Sequence, residues 1–149
     1  MNSGLSTDEL ITRAKRKAGG KRALVTGMRG EIFFERYFLE NQLLIAAPRY
    51  DIHAVDFIIE WAGGLQRVQV KTMYKKSNGT YMTSVERNCS TTYKEKFDFY
   101  GLVNLDFDRI WLVPASIIGS RKSLTYTPDE VRTKTLYSSG VDLNPYLIN

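Results

Sequence analysis

Two short segments in which side chains alternate between apolar and polar, separated by a glycine pair, constrain this chain more than any other feature. The first spans residues 54–61 and the second spans residues 67–72. A period of two is typical of β-strands, whose successive side chains point to opposite faces. Gly63-Gly64 supplies the positive φ angles that a two-residue hairpin turn requires. The sequence therefore predicts a tight β-hairpin.

The position of this turn predicts the register of the hairpin. With Gly63-Gly64 at the centre, the residues that share one face pair as Asp56 with Lys71, Ile58 with Gln69, and Glu60 with Arg67. Directly opposed Cβ atoms lie about 5 Å apart, so a carboxylate, an amide and an ammonium group would converge. On alternation alone, an ordinary cross-strand ion pair worth about 0.2–1 kcal/mol is the simpler interpretation.

Length and charge bound the class of protein. The chain has 149 residues, with 21 Lys and Arg against 16 Asp and Glu, for a formal net charge of +5. A single α/β domain of this size buries a core without disulfides, and the positive charge favours an anionic partner such as nucleic acid. Cys89 is the only cysteine and His53 the only histidine, which argues against a disulfide framework, a Cys/His zinc site and a Ser/His/Asp relay.

Hydropathy favours a protein outside the membrane. The sequence contains no apolar run of about 18 residues, and its first residues lack the apolar core of a signal peptide. We therefore expect a soluble protein of a reducing compartment, the cytoplasm, with no membrane partner.

Residues 1–27 are predicted to form a basic helical arm, followed by the main domain over residues 28–149. Ser6 and Glu9 have the spacing of a capping box, and Gly19-Gly20 predicts that the arm's helix ends near Ala18. Cations that suit contact with phosphates lie along this arm: Lys15, Arg16, Lys17, Lys21 and Arg22. A solvated helix with a loose tail explains the same charges equally well.

Further elements are predicted on both sides of the hairpin. The apolar stripe of residues 29–40 predicts a second helix, with Glu31 near its start, and Asn78-Gly79 predicts another hairpin turn. Residues 97–103 and 109–114 are predicted strands, the second buried on both faces. Together these elements predict an α/β fold with a central mixed β-sheet flanked by helices.

The oxygen atoms that the hairpin would bring together suit a hard divalent cation. The Asp56 carboxylate, the Gln69 amide oxygen and the Val70 carbonyl are ligand types that Mg²⁺ binds, and Mn²⁺ is expected to substitute. Lys71 would orient or deprotonate an attacking water, and Glu31 would bind a second metal or a metal-held water. Phosphodiester hydrolysis requires these functions. An amide in place of a second acid predicts a modest affinity for the ion.

The chain resembles the PD-(D/E)xK nuclease superfamily in a short motif: Asp56, a twelve-residue gap and Gln69-Val70-Lys71, preceded by Gly30-Glu31 on a helix. The resemblance covers residues 27–114. Within the superfamily, the chain resembles the subgroup that has QxK in place of (D/E)xK. That subgroup includes a homing endonuclease encoded in a cyanobacterial group I intron. The resemblance implies a restriction-endonuclease-like core, with Glu31, Asp56 and Gln69 at the metal site and Lys71 as the catalytic lysine. No proline precedes Asp56, where Val55 stands.

The resemblance favours a magnesium-dependent, site-specific double-strand DNA endonuclease with one or two metal ions per site. One active site per chain implies a dimer or tetramer, for which residues 97–103 and 146–148 are candidate interface segments. Arg67, Lys75 and Lys76, together with the cations of the arm, are candidate phosphate contacts.

Other classes of protein make different predictions. A structure-specific resolvase or repair nuclease would prefer branched DNA to linear duplex. A DNA-binding protein without catalysis would bind duplex in a salt-dependent manner that is indifferent to Mg²⁺. A structural or assembly protein would neither bind nor cut DNA.

Overall fold

A long helix packs across one face of a five-stranded sheet, and a smaller sheet covers the other face. The computed structural model describes residues 7–49, 54–85, 97–119, 121–131 and 141–149, with only the backbone of residues 7–19 and of Val131. The order of layers is therefore helix, five-stranded sheet and three-stranded sheet.

The first helix, α1, runs without interruption over Thr7–Glu40. The two separate helices predicted from the sequence are one, and the predicted end at Gly19-Gly20 is wrong. A glycine ends a helix when it adopts a positive φ, and among the described glycines only Gly63, Gly79 and Gly119 do so. An interior glycine costs about 1 kcal/mol relative to alanine, which the helix-forming residues on both sides offset. The predicted boundary between residues 27 and 28 lies inside α1 and stays a prediction.

The strands form two sheets. In chain order they are β1 (Ile45–Ala46), β2 (Phe57–Trp61), β3 (Gly64–Thr72), β4 (Tyr74–Lys75), β5 (Tyr81–Ser84), β6 (Phe99–Asn104), β7 (Arg109–Pro114) and β8 (Ser123–Tyr126). The larger sheet has the order β1-β2-β3-β6-β7, in which only β3 and β6 are parallel. The smaller sheet has the order β4-β5-β8 and is antiparallel.

Short helical segments complete the described structure. A one-turn helix, α2, follows β7 at Ala115–Ile118. Two 3₁₀ turns lie at Asp129–Val131 and Asn144–Tyr146.

The predicted α/β fold with a central mixed sheet is confirmed. β6 and β7 occupy the two segments predicted as strands after the hairpin. The predicted second hairpin is also present, because Gly79 has a φ of 83° and the Lys76 N–H donates to the Thr80 carbonyl over 2.7 Å. The face of the central sheet opposite α1 is covered mainly by the three-stranded sheet.

Two apolar clusters hold the layers together. Phe34 and Phe38 of α1 are fully buried against Phe57, Ile59 and Val68 of the larger sheet. The second cluster lies between the sheets and includes Tyr100, Leu102, Trp111, Tyr81 and Leu124. Each such side chain contributes about 1.5–3 kcal/mol by leaving water, so the clusters dominate the favourable side of folding.

The two segments predicted as oligomer interfaces are both engaged within the chain. β6 is hydrogen-bonded to β3 on one side and to β7 on the other, so the expectation that residues 97–103 offer an interface is wrong. The C-terminal residues dock on β7, where Ile148 N donates to Ile110 O over 3.0 Å. Tyr37 Oη donates to the Ile148 carbonyl, which ties the same residues to α1.

Two glycines let α1 approach the sheet closely. A Cβ on Gly30 would overlap the Thr72 side chain, coming within 3.0 Å of its Cβ. A Cβ on Gly101 would come within 2.6 Å of the Phe34 ring. The end of β3 and the middle of α1 are therefore in direct contact.

We expect Gly30→Ala to lower the free energy of unfolding by about 1–3 kcal/mol, because the added methyl group overpacks the contact with Thr72. Gly27→Ala is the matched control on the same helix, since a Cβ there meets nothing within 4 Å. It should raise the free energy of unfolding by up to about 1 kcal/mol through helix propensity. Urea unfolding followed by circular dichroism measures both changes, and equal effects of the two substitutions would contradict the packing described.

Candidate functional site

The hairpin that carries the candidate residues turns one residue earlier than predicted. Ala62 and Gly63 form the turn, with φ angles of 51° and 80°, the two positive values of a type I′ turn. Ile58 therefore pairs with Arg67, so the predicted pairing of Ile58 with Gln69, and with it Asp56 with Lys71, is wrong. A shift of the partner by two residues keeps every side chain on its face, so alternation alone does not distinguish the two registers.

Asp56 is attached to β3 just before the lysine. Its N–H donates to the Val68 carbonyl over 2.9 Å, and its Oδ2 accepts the Val70 N–H over 2.7 Å. In a longer β2, a backbone carbonyl would accept the Val70 N–H at this place. The Asp56 carboxylate accepts it instead. It is held one residue from Lys71 along β3.

The Val70 carbonyl points to the same side of β3 as Asp56. Val68 O accepts from Asp56 on this side, whereas Arg67 O accepts from Asp98 N on the side of β6. Because the polar groups of alternate strand residues point the same way, the carbonyls of Val68 and Val70 share a direction. A backbone oxygen is therefore directed to the side where the Asp56 carboxylate lies.

Gln69 brings a buried amide to this end of the sheet. Its side chain is 4% exposed, and the residue pairs with Tyr100 across the parallel β3–β6 ladder. Its Oε1 is buried, without a hydrogen bond from the described residues, although Gln69 as a whole has an interaction partner. Gln69 is therefore a buried amide in the part of β3 to which Asp56 is hydrogen-bonded.

Glu31 lies in the interior of α1, so the prediction that it lies near the start of a helix is wrong. The neighbouring Gly30 contacts Thr72, next to Lys71. Burial raises the pKa of the Glu31 carboxyl, the charge of Asp56 raises it further, and the charge of Lys71 partly lowers it. These effects require Glu31, Asp56 and Lys71 to lie within electrostatic range of one another.

Arg67, predicted to contact phosphate, is engaged in an ion pair. Its backbone N–H and its Nε both donate to Asp98 Oδ2, over 2.8 and 3.1 Å, and its Nη2 donates to Oδ1 over 3.0 Å. The hydrogen bonds from Arg67 lower the pKa of Asp98. Sequence reasoning missed Asp98, because the two residues are separated by 31 positions and only strand pairing brings them together.

The other predicted phosphate contacts lie at two places. Lys75 and Lys76 are exposed at the end of β4 and in the turn that follows. Lys21 and Arg22 are exposed on α1. Lys15, Arg16 and Lys17 fall within α1, but their side chains lie outside the described residues.

The described part of the chain contains no group of three His, Cys, Asp or Glu side chains placed to hold a metal ion. The candidate site has two carboxylates, and its third side-chain oxygen belongs to an amide. Also within the described residues, none of the helices has the length and apolar character needed to cross a membrane.

The helix, mixed sheet and hairpin described above form a fold that a solved structure shares. Among solved structures, the fold is similar to that of a bacterial homing endonuclease, I-Ssp6803I, with a TM-score of 0.62. The match covers 74% of this chain and 81% of that chain at 18% sequence identity, which shows a shared fold. No protein-family model matches the sequence, and comparison with curated proteins finds no significant match.

We expect Glu31→Gln to stabilise the metal-free protein increasingly as pH rises above the ordinary carboxyl pKa of 4.5. The folded state holds the Glu31 proton more tightly than the unfolded state, so ionisation of Glu31 costs stability over this range. At lower pH the carboxyl is protonated in both states and the advantage of glutamine disappears. Thermal unfolding in EDTA across pH 4–8 measures the difference from wild type.

Glu35→Gln, one turn further along α1, is the control for the loss of a helix carboxylate. The electrostatic account of the site would fail if Glu31→Gln changed stability by the same amount at every pH.

Proposed function

We propose that this chain is a magnesium-dependent, site-specific double-strand DNA endonuclease. The observation that carries the proposal is the convergence of Glu31, Asp56 and Lys71 at the end of β3. This convergence occurs in a fold similar to that of a bacterial homing endonuclease. The positive net charge of +5 and the reducing compartment expected for a chain with one cysteine agree with a cytoplasmic DNA-binding enzyme.

The donor atoms at this position fit a hard divalent cation. Two carboxylates, an amide oxygen and a backbone carbonyl are oxygen ligands, which Mg²⁺ and Mn²⁺ prefer. Burial raises the pKa of Glu31, and the charge of Asp56 raises it further, a repulsion that a cation would relieve. Asp56, Gln69 and the Val70 carbonyl would hold one ion, with Glu31 as the carboxylate for a second.

When bound, a divalent ion supplies charge stabilisation for the phosphate and makes water a better nucleophile. The chain's own groups supply the orientation. The Val70 N–H holds the Asp56 carboxylate in one direction, so little reorganisation is needed when substrate arrives. Lys71 brings a positive charge beside two carboxylates, where its ammonium group would donate to a water or to a phosphate oxygen.

The proposed activity requires more than one copy of the chain. Each chain carries one such site, and the two strands of a duplex run antiparallel, so cutting both strands calls for a homo-oligomer, a dimer or a tetramer.

We expect Lys71→Ala and Asp56→Asn each to lower the rate of DNA cleavage in Mg²⁺ by at least about 100-fold, the scale of losing one group that acts on the transition state. The substrate is a random-sequence duplex library, with a four-way junction beside it, and cleavage is read by sequencing of new ends. Asp108→Asn is the matched acid-to-amide control, because Asp108 is exposed in the turn between β6 and β7 and asparagine tolerates its φ of 50°.

Each outcome points to one class of protein. Discrete cleavage of a duplex sequence supports the proposal, and preferential cutting of the junction would indicate a resolvase or repair nuclease. Salt-dependent binding that is indifferent to Mg²⁺, with no cleavage, would indicate a DNA-binding protein without catalysis. Cleavage that survives both substitutions would place the active site elsewhere.

We further expect Mg²⁺ to raise the melting temperature of wild type but not of Asp56→Asn. An ion present at ten times its Kd stabilises the folded state by about 1.4 kcal/mol, or about 3–6 °C for a domain of this size. Differential scanning fluorimetry with and without EDTA measures the shift, with Asp108→Asn as the control. An equal shift in all three proteins would mean that Mg²⁺ binds somewhere other than Asp56.

A further inference from the structure

The three-stranded sheet formed by β4, β5 and β8, here called the outer sheet, has one buried face and one polar face. Tyr81, Thr83 and Leu124 point into the core and are at most 4% exposed. Strand register places the alternate residues on the opposite face: Tyr74 beside Met82 beside Thr125, and Ser84 beside Ser123. These residues are exposed or partly exposed, and Tyr74 is 50% exposed.

The three strands of the outer sheet carry only positive charge, although the Asp106 carboxylate accepts a hydrogen bond from Tyr81 Oη at the end where Lys75 lies. These strands contain no Asp or Glu, although the whole chain has 16. Lys75 and Lys76 are exposed at one end of the β5–β8 ribbon, and Lys122 is exposed at the other; Lys75 pairs with Tyr81 and therefore lies on the side of the buried face. In the described structure the salt bridges join Arg36 to Glu40 and Arg67 to Asp98, so they engage none of these lysines.

We propose that the outer sheet enters the major groove of duplex DNA, with Tyr74, Met82 and Thr125 against the base edges. This inference rests on the proposed function and names the surface that would read sequence for it. Strands about 4.8 Å apart make β5 and β8 a two-stranded ribbon that the major groove, about 12 Å wide, admits, with Tyr74 of the two-residue β4 at its edge. A threonine hydroxyl bonds to base edges, and apolar side chains contact the methyl group of thymine.

Lysines at both ends of the ribbon would contact the phosphates on either side of the groove. The major groove of A-form RNA is deep and narrow and excludes such a ribbon, so the partner is DNA.

The outer sheet is joined directly to the candidate site. β4 begins at Tyr74, and only the buried Met73 separates it from the end of β3. Three residues from Lys71 to Tyr74 span at most about 11 Å. A duplex seated on the outer sheet therefore has its backbone within reach of Asp56 and Lys71.

The base-reading part is tested by selecting bound sequences from a random duplex library with Lys71→Ala protein, which retains the outer sheet. Added to this protein, Met82→Gln and Thr125→Val should each change the preferred base at one or two positions by about fivefold or more. Leu65→Ala, on the exposed end of the β2–β3 hairpin, is the control and should leave the preference unchanged. Thr125→Ser retains the hydroxyl and should retain most of the preference.

The phosphate part is tested by the salt dependence of duplex binding, measured by fluorescence anisotropy. Lys76→Gln combined with Lys122→Gln should reduce the slope of log K against log salt by about two, because each phosphate contact contributes about 0.9. Arg36→Gln removes one charge from the exposed side of α1 and should leave the slope unchanged. Circular dichroism confirms that each variant is folded.

The outcomes separate this inference from the proposed function. Altered base preference without any cleavage by wild type would support the outer sheet as the reading surface and overturn the endonuclease. Cleavage by wild type, with preference and salt slope unchanged in the outer-sheet variants, would overturn the reading surface alone. Tighter binding to an RNA duplex than to DNA of the same sequence would also overturn it.

Discussion

The packing of α1 on the central sheet is the interaction on which the candidate site depends. Phe34 and Phe38 are fully buried against β2 and β3, and truncation of such rings typically costs about 3–5 kcal/mol. Gly30 and Gly101 allow the helix to approach the strands without overlap. Since Glu31 follows Gly30, the same contact that holds the layers together brings a carboxylate to the end of β3.

The site that results is electrostatically unfavourable for a charged Glu31. Burial and the neighbouring Asp56 both oppose ionisation of Glu31, and Lys71 offsets only part of this. A plain structural ion pair would not need a second acid at this position. Carboxylates gathered in a partly buried place are typical of sites that hold a cation or transfer protons, and they lower the stability of the protein that carries them.

Local sequence patterns predicted most of the elements but not how they continue or pair. The strands after the hairpin and the turn at Asn78-Gly79 follow from alternation and turn chemistry, which act over a few residues. The continuity of α1 through Gly19-Gly20 does not follow from local patterns, because a glycine pair can occur at a helix end or in a helix interior. The pairing of Arg67 with Asp98 was also beyond reach, since it depends on a parallel ladder between distant strands.

The sequence by itself determined which side chains of β2 and β3 share a face, because side-chain direction in a strand follows from a period of two. It therefore predicted Asp56, Gln69 and Lys71 as a group. Only the tertiary structure decided the register, since a two-residue shift leaves every face unchanged and the turn forms at Ala62-Gly63, one residue before the glycine pair. It also decided that Glu31 joins them and that β4, β5 and β8 form one sheet, because both depend on contacts between segments far apart in the chain.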